Sequence, residues 1–284
     1  MAEILKGKPV SDYKKGIVLA EVDNMRESGV FPKLAIVRIG ENEDDLSYER
    51  SVIKQFDKLG IDVAVYKFPA DIQQEEFVQS FKKINENKDV HGILLFRPLP
   101  KHIDENAVKA VFNPDKDIDC MLDQNLAKSF VSDRSGFAPC TAQAVVSTLD
   151  YYKVELSGKK VCIVGRSLVV GKPLAMLMLD KNATVTICHT RTKDLAGECR
   201  KADIVVAAAG RANMIDDTFI SEGAIVLDVG INVDEHGCLC GDVDYDKVKD
   251  KASMITPVPG GIGAVTTALL AQHVVKAAKK LNKR

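Results

Sequence analysis

Apolar residues in this chain fall into short continuous runs, separated by stretches in which they recur every three or four positions. The runs KLAIVRIG (33–40), DVAVYKF (62–68) and GILLFRPLP (92–100) predict strands, and the periodic stretches between them predict helices. Alternating strand and helix implies parallel pairing through right-handed crossovers, so this half is expected to be α/β. PDKDID (114–119) follows as a turn-rich loop.

A second α/β unit is expected from about residue 143, with strands KKVCIVG (159–165), ATVTICH (183–189), ADIVVAAAG (202–210) and GAIVLDVG (223–230). Val, Ile and Ala stand on consecutive residues there, without alternation, which predicts a parallel sheet covered on both faces. After TPVPGGIGAVTTA the chain closes with a helix to Arg284, expected to pack back onto the first half. The predicted fold class is α/β in two domains: 1–142 with 265–284 forming an N-terminal α/β domain, and 143–264 forming a Rossmann-type doubly wound domain. No internal repeat interrupts this plan.

A length of 284 residues agrees with two domains and a cleft between them, where small-molecule chemistry usually sits. With 46% hydrophobic and 28% charged residues the chain can build real cores, and disorder is not expected. The balance of 39 basic against 40 acidic residues leaves no field to hold a polyanion, so nucleic acid is a poor partner. The start lacks an apolar signal core and no run reaches the roughly 20 apolar residues that span a bilayer, so a cytoplasmic protein with no membrane partner is expected. Seven scattered cysteines fit reduced thiols better than a disulfide framework. Cys238 and Cys240 form a close pair, but no second pair stands at metal-ligand spacing, and no metal is expected.

Candidate chemistry is densest at VCIVGRSLVVGKPLAMLML (161–179), an apolar run leading through Gly165 and Gly171 into an apolar helix. Gly165 lets the chain turn sharply, and the helix start offers unpaired N–H groups and a positive dipole end to a pyrophosphate. The spacing departs from G-x-G-x-x-G, so a glycine that merely turns the chain is the competing reading. Arg166 could pair bidentately with a phosphate or stand as a solvated loop residue. His189, Thr190 and Arg191 end the next strand, where an adenosine ribose lies in such sheets. An acidic residue there would repel a 2′-phosphate, whereas Thr190 and Arg191 would accept it, which favours NADP while leaving NAD possible. His189 receives no role.

Taken together, GRSLVVGKP (165–173), ATVTICHTRT (183–192), GAIVLDVGIN (223–232), GDVDY (241–245) and ITPVPGGIGAVTTALL (255–270) resemble the methylenetetrahydrofolate dehydrogenase/cyclohydrolase family. PLP (98–100), PDKDID (114–119) and PCT (139–141) follow in the family's order, so the resemblance covers nearly the whole chain. It implies hydride transfer from 5,10-methylenetetrahydrofolate to a nicotinamide, with the folate in the interdomain cleft. Such chemistry asks the protein mainly to hold two flat rings in contact. By position, Tyr48 matches the tyrosine that stacks on the folate and Asp119 the carboxylate that anchors the pterin, and these two are the candidate catalytic residues. Pro98, Leu99, Pro259, Gly260 and Gly261 match folate-lining positions, and Gly165, Arg166, Ser167, Thr190, Arg191 and Ile231 match cofactor contacts. A homodimer is implied as well.

Two positions depart from the family. Its bifunctional members carry a lysine four residues after the tyrosine, where this chain has Val52, and a glutamine where it has Phe96. On a helix, a residue four on from Tyr48 is rotated by about 40°, while Lys54, six on, is rotated by about 120° and should face elsewhere. Arg97 or Lys54 would serve only if the helix were shifted. Valine and phenylalanine cannot exchange a proton, so cyclohydrolase activity is expected to be weak or absent, by a factor of about 10² to 10⁴. The alternatives are a fully bifunctional enzyme, a Rossmann enzyme with another substrate such as a shikimate- or glutamate-type dehydrogenase, and a nucleotide-sensing binding module.

Overall fold

Strand and helix alternate along most of the chain, as the apolar runs predict. The computed structural model describes residues 2–234 and 237–283. In the first half run β1 (Glu3–Ile4), α1 (Gly7–Glu27), β2 (Lys33–Ile39), α2 (Glu43–Asp57), β3 (Asp62–Phe68), α3 (Gln74–Glu86), β4 (Gly92–Leu95), α4 (Glu105–Val111), α5 (Asp123–Phe130) and α6 (Cys140–Tyr151). The second half holds β5 (Lys160–Val164), α7 (Gly171–Leu179), β6 (Thr184–Cys188), α8 (Leu195–Arg200), β7 (Ile204–Ala207), β8 (Ile225–Asp228), β9 (Asn232–Val233), β10 (Leu239–Cys240), α9 (Tyr245–Val248), β11 (Met254–Ile255) and α10 (Thr266–Asn282).

The elements gather into two compact units, one made of Tyr13–Lys128, Ser135–Phe137 and Thr267–Arg284 and the other of Met1–Asp12, Ser129–Arg134 and Ala138–Thr266. The first twelve residues therefore belong with the second half of the chain rather than with the first. Their reason is β1, which pairs in parallel with β11 through Glu3↔Met254 and Ile4↔Ile255.

In the smaller unit three parallel strands lie in the order β3-β2-β4. Alternation along the central strand β2 sends Ala35 and Val37 to one face, where they join Phe77, Phe81, Ile84, Ile93 and Leu95 in a core under α3 and α4. Burying each large side chain of that core contributes about 1.5–3 kcal/mol. Leu34, Ile36 and Arg38 take the other face. Helix α10 belongs to this unit, and His273 is bonded to the Ile118 carbonyl at 2.7 Å. The expected strand 92–100 stops at Leu95. Phe96 N–H still donates to Val37 O at 2.9 Å, but Pro98 and Pro100 have no N–H with which to continue a ladder.

The larger unit carries a six-stranded sheet in the order β1-β11-β8-β7-β5-β6, with every pairing parallel. β5 and β7 are neighbours, and the chain proceeds outward from them in opposite directions, which is the topological switch point of a doubly wound sheet. β5, β7 and β8 are buried almost throughout, as expected of strands covered on both faces. β6 is not, because it lies at the sheet edge with Thr184, Thr186 and Ile187 exposed. Among the described residues no helix is long and apolar enough to cross a membrane. None of the seven cysteines is in a disulfide, and five are buried.

Candidate active site

The N-terminus of α2 is set by its own residues. Asn42 accepts the Asp44 N–H at 3.0 Å, and Glu43, Asp44 and Asp45 place negative charge on the first turn, where the helix dipole favours it. From this start, Glu49, Val52 and Phe56 fall on the buried face. Tyr48 is 39% exposed, at the margin of that face, and its ring lies 5.6 Å from that of Phe96 with planes inclined by 34°. Tyr48 and Phe96, assigned separately from the sequence, are thus brought into contact. Val52 is completely buried while Lys54 is exposed, as the helical rotation predicts.

Beyond Phe96, Arg97 and Pro98 are exposed, Leu99 is half-buried against the strand-face core, and the Arg97–Pro98 peptide is cis. Arg97 lies 3.8 Å from Glu105, whose other partner is Lys109 at 2.7 Å. Asp119 is half-buried in the turn that follows a parallel bridge between Ile93 and Asp117. Asp117, unremarked in the sequence, holds that turn: its carboxylate accepts the N–H groups of Met121 (2.9 Å) and Leu122 (3.0 Å) and the Asn125 amide (2.9 Å). Burial raises its pKa, an effect that these donors and the Arg97 charge oppose.

At the switch point of the larger sheet, Gly165 follows β5 with φ of 136°, a conformation that L side chains rarely adopt. A Cβ at Gly165 would overlap the Ala208 carbonyl beyond β7, and one at Gly171 would overlap the Gly165 carbonyl. The turn therefore requires both glycines, and it leads directly to the first residue of α7. Arg166 and Ser167 are exposed, with Ser167 Oγ accepting the Val170 N–H at 3.0 Å. Thr190 and Arg191 are exposed beyond β6, and the His189 ring accepts the Arg191 N–H at 3.1 Å, a turn-forming role. Ile231 is 65% exposed. Pro259 and Gly260 are exposed and Gly261 is buried. Gly260 has φ of 97° and its carbonyl accepts the Gly7 N–H at 2.8 Å, so these glycines also form a tight turn against the start of α1.

Two buried carboxylates that the sequence reading missed fix the loops at the C-terminal ends of β7 and β8. Asp242 accepts the N–H groups of Ala209 (2.6 Å), Gly210 (3.0 Å) and Arg211 (2.8 Å) and the side-chain amide of Asn232 (2.9 Å). Asp228 accepts those of Gly230, Asp242 and Val243 at 2.9–3.0 Å. Burial pushes Asp228 up to about 6 against the pull of these bonds, with the neighbouring charge of Asp242 adding to the rise. Their signal was an aspartate directly after an apolar strand and another flanked by glycine and valine, in DVG and GDVD.

The tight glycine turn at the switch point, with a helix start and an exposed arginine, fits a phosphate-bearing dinucleotide. Residues 139–282 match the tetrahydrofolate dehydrogenase/cyclohydrolase NAD(P)-binding domain, and residues 5–119 match the catalytic domain of the same family. The chain belongs to the tetrahydrofolate dehydrogenase/cyclohydrolase family. It is 53% identical over 282 residues to the bifunctional protein FolD of Clostridioides difficile, covering 99% of this chain and 98% of that protein. Among solved structures it resembles the bifunctional FolD of Campylobacter jejuni, with 37% identity, a TM-score of 0.95 and 99% of each chain covered. FolD of Trypanosoma brucei, crystallised with NADP cofactor and inhibitor, is 34% identical with a TM-score of 0.92, covering 100% of this chain and 99% of that one. The stretch carrying Tyr48 and Phe96 thus matches the family's catalytic domain, and the stretch carrying the Gly165 turn its NAD(P)-binding domain.

Proposed function

We propose that this chain oxidises 5,10-methylenetetrahydrofolate to 5,10-methenyltetrahydrofolate by transferring a hydride to NADP, and that it hydrolyses the methenyl product weakly or not at all. The observation that carries the second clause is Val52: the position four residues after Tyr48 is fully buried and apolar, and Lys54 is turned to solvent.

Tyr48 offers a flat, partly exposed ring, backed by Phe96, on which the pterin rests, and Asp119 accepts its N–H groups. Pro98, Leu99, Pro259, Gly260 and Gly261 are further substrate-binding residues in this reading. In the larger unit the Gly165 turn, Arg166, Ser167 and Ile231 hold the dinucleotide, while Thr190 and Arg191 accept the 2′-phosphate that distinguishes NADP from NAD. Bound NADP supplies the hydride acceptor. The bridging carbon loses a hydride and becomes a cation shared between its two nitrogens, so no side chain need move a proton in this step. Hydrolysis differs, because water must be deprotonated and the ring nitrogen protonated, and neither Val52 nor Phe96 can do either.

The bifunctional names of the relatives favour the alternative of a complete dehydrogenase and cyclohydrolase. Purified protein supplied with methylenetetrahydrofolate should reduce NADP, followed by absorbance. Supplied with methenyltetrahydrofolate, it should show hydrolysis far below that rate. Comparable rates would establish the bifunctional enzyme, and no reduction of NADP or NAD would favour a nucleotide-sensing module. The reading includes a cytoplasmic homodimer, with which exposed Ile187 on the edge strand β6 is compatible.

A further inference from the structure

Arg38 stands in the middle strand of a parallel sheet, at the end of a run in which Leu34, Ala35, Ile36 and Val37 are all completely buried. Its side chain is 3% exposed and donates through Nε to Glu49 Oε2 at 2.8 Å. A second guanidinium nitrogen donates to the Gly40 carbonyl, and a third lies 3.9 Å from the exposed Glu41 carboxylate. Glu49 is itself 10% exposed in its side chain and immediately follows Tyr48. The ladder bond from Phe96 N–H to Val37 O brings Phe96 alongside β2 next to Arg38. Arg38, Glu49, Tyr48 and Phe96 are therefore one connected group.

A buried ion pair is a poor means of gaining stability, since apolar residues of similar volume often do as well or better. What it adds is direction: a planar guanidinium bonded at several nitrogens fixes the angle at which its partner approaches. We infer that Arg38 and Glu49 are positioning residues that set the rotation of α2 about its axis, and so the tilt of the Tyr48 ring over Phe96 that receives the substrate. This rests on the proposed role of Tyr48 as the folate platform. The same contact engages the carboxylate beside Tyr48, so Glu49 does not replace the missing hydrolytic lysine.

Three variants of the full chain test this: Arg38→Met, Arg38→Lys and the double variant Arg38→Met with Glu49→Leu. Arg38→Met leaves a buried carboxylate unpaired and should lower the melting temperature. The double variant should recover it. In both, the KM for methylenetetrahydrofolate should rise about tenfold while the KM for NADP stays within about twofold, because the platform is displaced and the nucleotide site is not. Arg38→Lys keeps the charge without the fork and should not restore the folate KM. A double variant with wild-type folate KM, or equal rises for both substrates, would overturn the inference. A crystal structure of the double variant gives a readout independent of turnover: an unchanged Tyr48–Phe96 geometry overturns the inference, and a shifted one supports it. Failure of the wild-type protein to reduce NADP would instead sink the substrate assignment, leaving that structural readout to decide the positioning role.

Discussion

Asp242→Asn is the most informative single perturbation of the nucleotide-binding unit. Asp242 is completely buried, with one carboxylate oxygen accepting the N–H groups of Ala209 and Gly210 and the other accepting those of Arg211 and the Asn232 side chain. Asparagine keeps one acceptor oxygen and replaces the other with a donor, so in either orientation two part-buried donors face an NH₂ group. Each orphaned donor costs about 1–3 kcal/mol, and partial rearrangement of the loop brings the sum to roughly 3 kcal/mol. For a unit of this size that corresponds to a fall of about 6–12 °C in melting temperature. Urea denaturation followed by far-ultraviolet circular dichroism measures it. The control is Asp244→Asn, which alters the partly exposed cap of α9 and should cost about 1 kcal/mol or less. A loss for Asp242→Asn no larger than the control's would refute the reasoning, since the four bonds would then carry no more than one surface cap.

Arg166→Ala should weaken NADP binding far more than NAD binding, measured by calorimetry, and equal losses would contradict a phosphate contact. Val52→Lys combined with Phe96→Gln should raise methenyltetrahydrofolate hydrolysis by about 10², whereas either change alone should give little; a folded double variant with no gain removes the explanation for weak hydrolysis. The pH dependence of stability should reflect two buried groups of opposite sign. Asp228, raised to about 6, keeps a proton in the native chain that the unfolded chain has released, so its contribution falls as pH rises toward that value. His273, buried and lowered to about 4, is neutral in the native chain where the unfolded chain is protonated, so its contribution is lost as pH falls from about 6.5. Each slope is about 1.4 kcal/mol per pH unit, and the two nearly cancel between about 4 and 6. Relative to wild type, Asp228→Asn should therefore tilt the profile toward stability rising with pH in that interval, and His273→Asn toward stability falling with pH; urea midpoints across a pH series that stay parallel in all three proteins would exclude both assignments.

Local pattern sufficed wherever the information was local. β3 spans the residues its apolar run marked, the glycine turn stands between β5 and α7, and the burial of Val52 with exposure of Lys54 follows from helical rotation alone. Even so, the run 92–100 overshot its strand, because hydrophobicity continues past the point where prolines remove the donors. The β6 run reads as covered on both faces, because composition does not reveal which strand will stand at a sheet edge.

What the tertiary structure decided depends on partners distant in sequence. β1, two residues long, is a strand only because β11 lies beside it, some 250 residues later. Arg38 in an apolar strand reads as an interruption until Glu49 is folded over it, and Asp242 reads as a surface turn residue until the loop 33 residues earlier supplies its donors. A buried charge or carboxylate is stable only when its bonding partners arrive, and chain folding, not residue order, brings them.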